Sequence, residues 1–434
     1  MQKNNKSHSA RKSLVQWLSY LETIHLTEID LGLSRISQVA KRLNIDLSFS
    51  QVITVAGTNG KGTTCAFIEN ALLANNQTVA VYSSPHIENF NERLRINNID
   101  IDDESLIEAF EKIEQQRDDI SLTYYEYTTL AAFLILMAIK PAVIILEVGL
   151  GGRLDATNLI DADIAVITTI DLDHQAYLGN NRESIGFEKA GIIRANRNVV
   201  IGDTDCPKSV LEHASGLNAT VNLRDNQFFV QEKEAAVSND SNQPLWKWKF
   251  GEHQVNDLYK PFIPQDNVAT ALTVLALVEN FSFVFNTQNI NALIEKTKVA
   301  GRTELITLTN LNSPVLLDVG HNPQAARYLV EYLKSQNYNK LYAVTGMLKD
   351  KDIANTFKPL LTLIEHWYLG SLSMPRGATA DELAEKLSLK EDSVNCFDNI
   401  TQAFKMANKN STATDLILVF GSFHTVAEVR RLLL

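Results

Sequence analysis

The sequence predicts an α/β protein with two domains, each built on a mainly parallel sheet. Its 434 residues exceed the roughly 250 to 300 that one hydrophobic core usually serves. Short runs rich in β-branched residues alternate with longer helical stretches, which is the pattern of βαβ units. The same alternation begins again after residue 300. We therefore expect a larger domain over residues 1–300 and a smaller one over residues 301–434.

Composition and charge narrow the class of protein. Hydrophobic residues make up 45% of the chain and charged residues 21%, which is enough apolar material for packed cores. The 40 Lys and Arg against 51 Asp and Glu give a net charge of −11, which opposes non-specific binding to nucleic acid or anionic lipid. Cys65, Cys206 and Cys396 are few, distant and odd in number, as in reduced proteins. We expect a cytoplasmic protein with no nucleic-acid or membrane partner.

Two segments bear on targeting. Residues 1–13 are polar and basic with no apolar run after them, so they predict a disordered lead-in rather than a secretory signal. The longest apolar run, 130–139, is shorter than the ~20 residues that span a bilayer. It predicts a buried helix followed by a buried strand.

The first domain shows five strands separated by three helices. Strands are predicted near 52–56, 78–82, 143–147, 164–168 and 199–201, and helices near 63–75, 104–116 and 127–138. This order implies a mainly parallel sheet covered on both faces. Ligands of such sheets collect at the carboxyl ends of the strands, where Gly57, Ser84, Glu147 and Asp171 lie.

The pattern changes between Val221 and Phe250, where polar residues interrupt short β segments. A loop-like stretch over 238–244 separates these segments, so the region predicts a hairpin at a sheet edge. Helices return at 267–279 and 290–298, and Ala300-Gly301-Arg302 is expected to be the hinge.

The second domain repeats the α/β alternation on a smaller scale. Strands are predicted at 315–319, 341–346, 367–370 and 416–420, and helices at 324–335, 352–357, 380–387 and 401–407.

The segment from Val52 to Thr64 joins a strand to a helix through a glycine-rich turn that carries Lys61. Backbone N–H groups in such a turn, with those that open the helix, converge on an anion. The pattern G-x-x-x-x-G-K-[ST] is not matched, because Val55 stands at the first glycine and Gly62 follows the lysine. We favour a nucleotide-phosphate site over a glycine-rich turn without a ligand.

Glu147 opens a second segment at the end of an apolar strand, and three glycines follow it. A lone buried carboxylate is costly unless a cation or hydrogen bonds meet it. Mg²⁺ at an ATP site meets that need, because it takes oxygen ligands and is completed by substrate phosphates. We favour a metal at Glu147 over an ion pair with a basic side chain.

The roles of four further residues cannot be decided when each residue is considered alone. Ser84 could end a strand without binding anything, and His174 suits a loop corner at least as well as a metal site. Lys189 has the pattern of a solvated helix residue. Asp318 precedes Gly320-His321-Asn322-Pro323, so it suits either a ribose or cation contact or a capping turn.

Taken together, these segments resemble the folylpolyglutamate synthase family of the Mur ligase superfamily, and more narrowly its bacterial members that are also dihydrofolate synthases. The resemblance extends over residues from about 20 to 430 and rests on motifs in the expected order. The motifs are 57–64, 83–86, 147–158, 172–174, 188–192, Arg302 and 318–323.

The resemblance implies a Mur ligase-like fold, with a large phosphate-loop-type sheet domain followed by a smaller Rossmann-like domain. It also implies an ATP-dependent carboxylate–amine ligase. In that reaction the γ-phosphate passes to a substrate carboxylate, and the amino group of L-glutamate attacks the acyl phosphate. Phosphorylation creates a good leaving group, while metal and lysine neutralise the charge of the transferred group.

The resemblance further implies a role for each matching residue. ATP contacts fall on Thr58, Asn59, Gly60, Lys61, Gly62, Thr63, Asn267, Arg302, Asp318 and His321. Two Mg²⁺ ions fall on Ser84, Glu147 and His174, and Lys189 is implied to carry a carbamate formed with carbon dioxide. The implied catalytic residues are Lys61, Glu147, His174 and Lys189.

Contacts to dihydropteroate are implied at three separate segments. They are Glu28, Ile29 and Asp30, then Thr123, Tyr124, Tyr125 and Glu126, then Leu154, Asp155 and Ala156. Aromatic rings beside a carboxylate suit a flat heterocycle that forms hydrogen bonds. The implied partners are dihydropteroate, tetrahydrofolate derivatives and L-glutamate, and the protein is expected to be a monomer.

Some residues depart from the family pattern, and several alternatives stay open. Val319, Gly320 and Thr303 differ from the residues that are common there, so contacts around the hinge are expected to differ. A synthase that acts on folates alone would share most of these motifs. A Mur-type cell-wall ligase is less favoured, because the phosphate loop begins already at Gly57 and leaves no room for a uridine-nucleotide domain. A switch or motor ATPase and a non-catalytic nucleotide-binding protein are the alternatives from other classes.

Overall fold

The computed structural model describes residues 11–27, 29–232, 245–387 and 391–434. Glu28 and the predicted loop 238–244 therefore lie outside the described residues, as do residues 1–10 of the predicted lead-in. The lead-in prediction is wrong for residues 11–13, because Ser13 caps the first helix and Arg11 donates to Glu111 at 2.7 Å.

An eight-stranded sheet organises the first domain. Its order is β4-β3-β2-β5-β1-β6-β7-β8, and all neighbours from β2 to β8 are parallel. The two edge strands β3 and β4 are antiparallel. The strands are β1 Gln51–Ala56, β2 Val79–Tyr82, β3 Leu94–Ile96, β4 Ile99–Asp100, β5 Val143–Glu147, β6 Ile164–Ile167, β7 Asn198–Ile201 and β8 Thr220–Leu223.

Helices cover both faces of this sheet, as the βαβ pattern predicted. The helices are α1 Leu14–Leu21, α2 Ser34–Arg42, α3 Lys61–Ala74, α4 Asp103–Arg117, α5 Tyr124–Ile139, α6 Gln175–Leu178, α7 Arg182–Ala190, α8 Lys208–Gly216, α9 Gln265–Leu275 and α10 Thr287–Lys296. Side chains alternate across the sheet, so Ile53 and Ile145 pack with α3, α9 and α10. Ile144 and Leu146 pack on the other face with α1, α2, α4 and α5.

The predicted hairpin is present, because residues 228–232 and 246–250 pair antiparallel, but it stands apart from the main sheet rather than at its edge. β8 joins the main sheet in parallel with β7. The segments after it form a separate three-stranded antiparallel sheet, ordered β11-β10-β9. Its strands are β9 Phe228–Glu232, β10 Trp246–Phe250 and β11 His253–Leu258. Trp246 and Trp248 are buried against α9 and α10, which explains why this sheet leaves the edge of the main one.

A six-stranded sheet of order β12-β13-β17-β14-β15-β16 organises the second domain, and only its edge strand β12 is antiparallel. The strands are β12 Glu304–Ile306, β13 Val315–Asp318, β14 Leu341–Thr345, β15 His366–Gly370, β16 Val394–Phe397 and β17 Leu416–Phe420. The helices are α11 Pro323–Lys334, α12 Ile353–Phe357, α13 Ala380–Leu387, α14 Ile400–Asn410 and α15 Phe423–Leu433. The four strands predicted here are present, and β12, β16 and α15 were not predicted.

Two expectations about the whole chain can be compared with the structure. The apolar run 130–139 lies in the buried helix α5 and is followed by the buried strand β5, as predicted. None of the helices described here combines the length and the apolar character needed to cross a bilayer. All three cysteines are free thiols.

Candidate active site

A cavity of about 330 Å³ lies where the carboxyl ends of β1, β2 and β5 face the carboxyl end of β13 from the second sheet. Both domains contribute to its walls. Every residue implied for ATP, metal or catalysis lines it, namely Thr58, Asn59, Gly60, Lys61, Gly62, Thr63, Ser84, Glu147, His174, Lys189, Asn267, Arg302, Asp318 and His321. Fourteen residues from distant parts of the sequence thus meet in one place.

The glycine-rich turn ends two residues earlier than predicted, because α3 begins at Lys61 rather than Thr63. Its first i to i−4 hydrogen bond joins the Thr64 N–H to the Gly60 carbonyl at 3.0 Å. The N–H groups of Lys61, Gly62 and Thr63 precede that bond and open the helix toward the cavity. Lys61 Nζ folds back to donate to the Gly57 carbonyl at 2.9 Å. The turn therefore has the geometry of an anion cradle.

Gly60 is required by the backbone and by its neighbour. Its φ of 88° is left-handed, and a Cβ there would lie 2.5 Å from Asn267 Oδ1. Asn267 is buried and donates from Nδ2 to Thr63 Oγ1 at 2.8 Å. A residue from α9 thus supports the first turn of α3.

Glu147 ends β5 with a buried carboxylate. Burial raises its pKa, and the positive charges of Lys61 and Arg302 oppose that shift. Within the described part of the chain, no Lys, Arg or His nitrogen lies within ion-pair distance of Glu147. Burial also lowers the pKa of Lys61, while Glu147 opposes that shift. The carboxylate therefore faces the cavity near cations that do not neutralise it by contact.

Lys189 is a buried amine that lines the cavity, contrary to its reading as a solvated residue. Burial, with the nearby charge of Lys61, lowers its pKa to about 7. No hydrogen-bond acceptor of its Nζ is found among the described residues. A neutral amine is therefore well populated near neutral pH, and a neutral amine is the nucleophilic form.

His174 and Asp173 follow β6 and contact the second domain. Asp173 Oδ1 accepts from Lys351 Nζ at 2.7 Å, and Asn322 Nδ2 donates to Oδ2 at 3.3 Å. Although burial opposes it, His321 and Lys351 hold the pKa of Asp173 well below its usual value. His174 Nε2 lies 3.3 Å from Lys351 Nζ, and burial lowers the pKa of His174 to about 4. His174 is thus neutral, with a ring nitrogen that accepts from Lys351.

Asn59 makes a second contact between the domains. Its Nδ2 donates to Asn322 Oδ1 at 3.1 Å and to Gln324 Oε1 at 2.5 Å, and Asn322 Nδ2 donates back to Asn59 Oδ1 at 3.0 Å. Asn322 also caps α11, with Pro323 at the first turn as the sequence predicted. The phosphate turn is therefore held against the start of α11.

Arg302 and Asp318 form the wall contributed by the hinge and β13. Asp318 accepts from the Thr303 and Gly320 N–H groups at 2.9 and 2.7 Å. Burial raises its pKa, and Arg302 opposes that shift. The guanidinium of Arg302 stacks over Phe423, 4.9 Å from the ring centre. This pair offers a cation and a carboxylate to a ligand in the cavity.

None of the described residues implied for dihydropteroate lines this cavity. Tyr125 contacts Gly149, because a Cβ on that glycine would lie 2.7 Å from the ring. Asp155 Oδ2 accepts from the Leu150 N–H at 2.9 Å, while Oδ1 accepts from Thr157 and, at 3.4 Å, from Tyr125. Gly149 and Leu150 themselves line the cavity. The second and third segments therefore stand directly behind the cavity wall.

Arg35 joins the first segment to the second, because it donates hydrogen bonds to both Asp30 and Glu126. Thr123 and Glu126 form a reciprocal capping box at the start of α5. Tyr124 packs edge to face with Phe90, Leu154 is half-buried and Ala156 is buried. Ile29 is half-buried, and Glu28 is outside the described residues.

Sequence reasoning missed several residues of the site. Asn322 and Asp173 belong to quoted motifs but were assigned no role, while Lys351, Gln324, Tyr328 and Phe423 were not considered. Lys351 stands in the charged run Lys349-Asp350-Lys351-Asp352, which reads as a solvated loop. Only the tertiary contact with Asp173 distinguishes it from Lys349.

The three residues implied to bind Mg²⁺ can be compared with the ligands that this ion prefers. Glu147 supplies a buried oxygen ligand and Ser84 a hydroxyl on the same wall, which suits a hard cation. His174 fits only after Lys351 moves from its ring nitrogen. Within the described ranges, no group of three or more His, Cys, Asp or Glu is arranged to hold a metal. Phosphate oxygens and water would have to complete any coordination sphere.

Comparisons with known proteins agree with this arrangement. Residues 55–278 match the Mur ligase middle domain and residues 301–423 match the glutamate ligase domain of Mur ligases. The chain is 42% identical to the dihydrofolate synthase/folylpolyglutamate synthase of Haemophilus influenzae, over 98% of both chains. The structure superposes on Escherichia coli FolC in complex with DHPP and ADP with a TM-score of 0.88 and 41% identity, covering 97% of each chain.

A further solved structure, a bifunctional folylpolyglutamate synthase/dihydrofolate synthase with Mn, AMPPNP and L-glutamate bound, gives a TM-score of 0.87. It is 42% identical and covers 97% of this chain and 98% of that chain. The predicted fold class and the predicted family are thereby confirmed. The chain belongs to the dihydrofolate synthase/folylpolyglutamate synthase family of ATP-dependent Mur ligases.

Proposed function

We propose that this protein uses ATP to join L-glutamate to dihydropteroate, forming dihydrofolate, and to tetrahydrofolate derivatives, forming polyglutamates. The observation that carries the proposal is the single cavity in which the phosphate turn, Glu147 and Lys189 of one domain face Arg302 and Asp318 of the other. The relatives named above carry both activities in their names, and solved relatives contain ADP, AMPPNP, Mn or L-glutamate.

Binding of the nucleotide follows from the cradle. The N–H groups at the start of α3 and the ammonium of Lys61 face the phosphates, while Arg302 and Asp318 meet the nucleotide from the other side. Lys61 then stabilises the phosphoryl group as it passes to the substrate carboxylate. The contacts of Asn59 with Asn322 and Gln324 hold the two walls together and exclude water from the acyl phosphate.

Two divalent cations are proposed at Ser84, Glu147 and His174. Bound there with the phosphates, they would supply charge neutralisation for the triphosphate. The carboxylate of Glu147 supports this, since among the described residues it has a hydrogen bond from the Ser84 backbone but no cation within ion-pair distance.

Lys189 is proposed to carry a carbamate. The lone pair of its neutral Nζ forms an N–C bond with the carbon of CO₂, the π electron pair of one C–O bond moves to that oxygen, and the proton released from the nitrogen passes to water. The pKa of about 7 supports this, because the amine must be unprotonated to react. The product would place an anion near the positive charge of Lys61, which now lowers the pKa of the amine.

Dihydropteroate is proposed to bind behind Gly149 and Leu150, against Tyr125, Asp155 and the segments at residues 28–30 and 123–126. A monomer in the cytoplasm is proposed from the reduced cysteines and from a cavity that one chain completes. The alternatives that remain are a synthase acting on folates only and, less favoured, a Mur-type ligase of cell-wall amino acids.

The test is a product assay with purified protein, ATP, MgCl₂, L-glutamate and either dihydropteroate or tetrahydrofolate, with products identified by mass. The proposal expects glutamylated product from each acceptor. Lys61→Ala should lower turnover by about 100-fold or more, because it removes the positive charge that stabilises the transferred phosphoryl group. The control Lys41→Ala, at an exposed lysine, should leave turnover unchanged.

Three results would contradict parts of the proposal. Product from tetrahydrofolate alone would support the single-substrate synthase. Phosphate release that needs no acceptor and no glutamate would support an ATPase of another class. Product only with a uridine-nucleotide-linked acceptor would support the cell-wall ligase.

A further inference from the structure

Arg35, on α2, connects two segments that are far apart in sequence. Its Nη1 donates to Asp30 Oδ2 at 2.5 Å, and its Nη2 donates to the Asp30 carbonyl at 2.8 Å and to Glu126 Oε1 at 3.2 Å. One guanidinium therefore fixes both the backbone and the side chain of Asp30 relative to the first turn of α5.

The Glu126 end of this connection is rigid. The side chain of Glu126 is only 5% exposed. Its Oε2 accepts from the Thr123 N–H at 2.8 Å, and its own N–H donates to Thr123 Oγ1 at 3.2 Å. Arg35 is thus anchored to a helix terminus whose hydrogen bonds are already satisfied.

The Asp30 end depends on its partners for position. Asp30 is 41% exposed, and beyond Arg35 its side chain bonds His25 Nε2 at 3.3 Å, which in turn bonds Ser121 through Nδ1 at 2.8 Å. Arg35 and His25 therefore both hold Asp30, and of these two side chains Arg35 alone reaches both its backbone and its carboxylate. Arg35 Nε is buried without a hydrogen-bond partner, so the arginine keeps this geometry at the cost of one unpaired donor.

We propose that Arg35 is the positioning residue of the dihydropteroate site, which it forms by holding the segment of Asp30 at the segment of Thr123 to Glu126. This inference rests on the proposed function, because those segments matter only if dihydropteroate binds between them. Arg35 lies outside the nucleotide cavity. Its removal should therefore weaken dihydropteroate binding and leave the nucleotide site intact.

The test compares Arg35→Gln and Arg35→Lys with a matched control, Arg42→Gln. Arg42 is on the same helix and donates to the carbonyls of Gln116 and Arg117 at 2.9 and 3.0 Å, so its loss also removes two arginine hydrogen bonds. KM for dihydropteroate, KM for ATP, kcat and the thermal midpoint are measured for each protein with magnesium and L-glutamate present.

Arg35→Gln is expected to raise KM for dihydropteroate about 10- to 100-fold, as expected for losing charge-assisted hydrogen bonds, with KM for ATP unchanged. Arg35→Lys should recover part of the loss, because an ammonium keeps the charge but not the fork that spans two carboxylates. Arg42→Gln should leave both constants unchanged.

Equal effects of Arg35→Gln and Arg42→Gln on KM for dihydropteroate would overturn the inference. So would an equal rise in KM for ATP and dihydropteroate, which indicates general damage. A wild-type protein that never uses dihydropteroate overturns the inference together with the proposed bifunctional activity. A wild-type protein that uses it while Arg35→Gln is unimpaired overturns only the role of Arg35.

Discussion

Lys351 of the second domain lies 2.7 Å from the carboxylate of Asp173 in the first, and both side chains are about nine-tenths buried. Removing one partner of such a pair leaves an uncompensated charge and costs about 3 to 5 kcal/mol. Lys349 is two residues away and pairs with Glu382, but both side chains are exposed, so solvent screening leaves that pair little effect on stability.

The first prediction compares these two lysines. Lys351→Met should destabilise the protein and separate the domains, seen as a lower thermal midpoint and a larger radius of gyration in X-ray scattering. Lys349→Met should change neither. If the two variants behaved alike, Lys351 would not be holding the domains together. The double variant Asp173→Asn/Lys351→Met should recover part of the stability, because it leaves no unpaired charge.

The second prediction concerns Gly60. Gly60→Ala places a Cβ 2.5 Å from Asn267 Oδ1 at a left-handed φ, so Asn267 must release Thr63. KM for ATP should rise about tenfold or more, since the strain alone is worth about 1 to 2 kcal/mol. The control is Gly251→Ala, which has a left-handed φ of 54° but no atom within 4 Å of the added Cβ. An unchanged KM for ATP in Gly60→Ala would show that the turn does not position the nucleotide.

The third prediction tests the proposed carbamate at Lys189. Lys189→Ala should lose activity and recover part of it when acetate is added, because a small carboxylate can occupy the space and the charge of the missing group. Lys189→Arg keeps a cation and fills the space, so acetate should not restore it. Recovery of Lys189→Ala with methylamine instead of acetate would mean that the lysine acts as a cation.

The fourth prediction concerns the pH dependence of stability. Burial and the nearby Arg93 lower the pKa of His86 to about 4, from 6.5 for an unperturbed histidine. Arg93 Nε donates to His86 Nδ1 at 2.9 Å, so the folded state keeps the ring neutral. Between these two pKa values the unfolded state binds a proton that the folded state does not. Stability is therefore lost as the pH falls from about 6.5 to about 4.

The measurement is the free energy of urea unfolding at several pH values. In His86→Gln the free energy of unfolding should fall less steeply over this pH window than in wild type. Part of the fall should remain, because the pKa of His174 is also lowered to about 4. His213→Gln, on α8, controls for loss of a histidine elsewhere. An identical slope in His86→Gln and wild type would show that His86 does not carry this effect.

The parallel sheets were predictable because each buried strand is a short apolar run between helical stretches. Strands such as β5 and β17 match the predicted limits, and the other predicted strands are within two residues. The hairpin of β9 and β10 was predicted, but its third strand β11 and its separation from the main sheet were not, since the alternation of Trp246 and Trp248 with lysines does not say which further strand pairs with them. Helices α1 and α2 were not assigned, although Ile36, Val39 and Ala40 have helical spacing and are buried.

The cavity residues were predictable for a different reason. The glycines before Lys61 and the carboxylate ending β5 belong to local motifs with a chemical reason for their residue types, whereas His174, Lys189 and Asn267 were assigned only through the family resemblance. Contacts between the domains have no such local signature. Lys351 and Gln324 are ordinary polar residues in sequence, and only folding brings them to Asp173 and Asn59.

The residues at the hinge are bonded mainly to the second domain, although Thr303 Oγ1 also donates to the Phe262 carbonyl of the first at 2.7 Å. Gly301 donates to Glu304 Oε2 at 2.7 Å and its carbonyl accepts from the Val319 N–H at 2.9 Å, while Thr303 is bonded to Asp318. A hybrid ligase made by exchanging halves with a relative should therefore be joined ahead of Gly301. A junction placed after Thr303 would take Arg302 from one parent and Asp318 from the other, and would mismatch the pair that is proposed to bind the nucleotide.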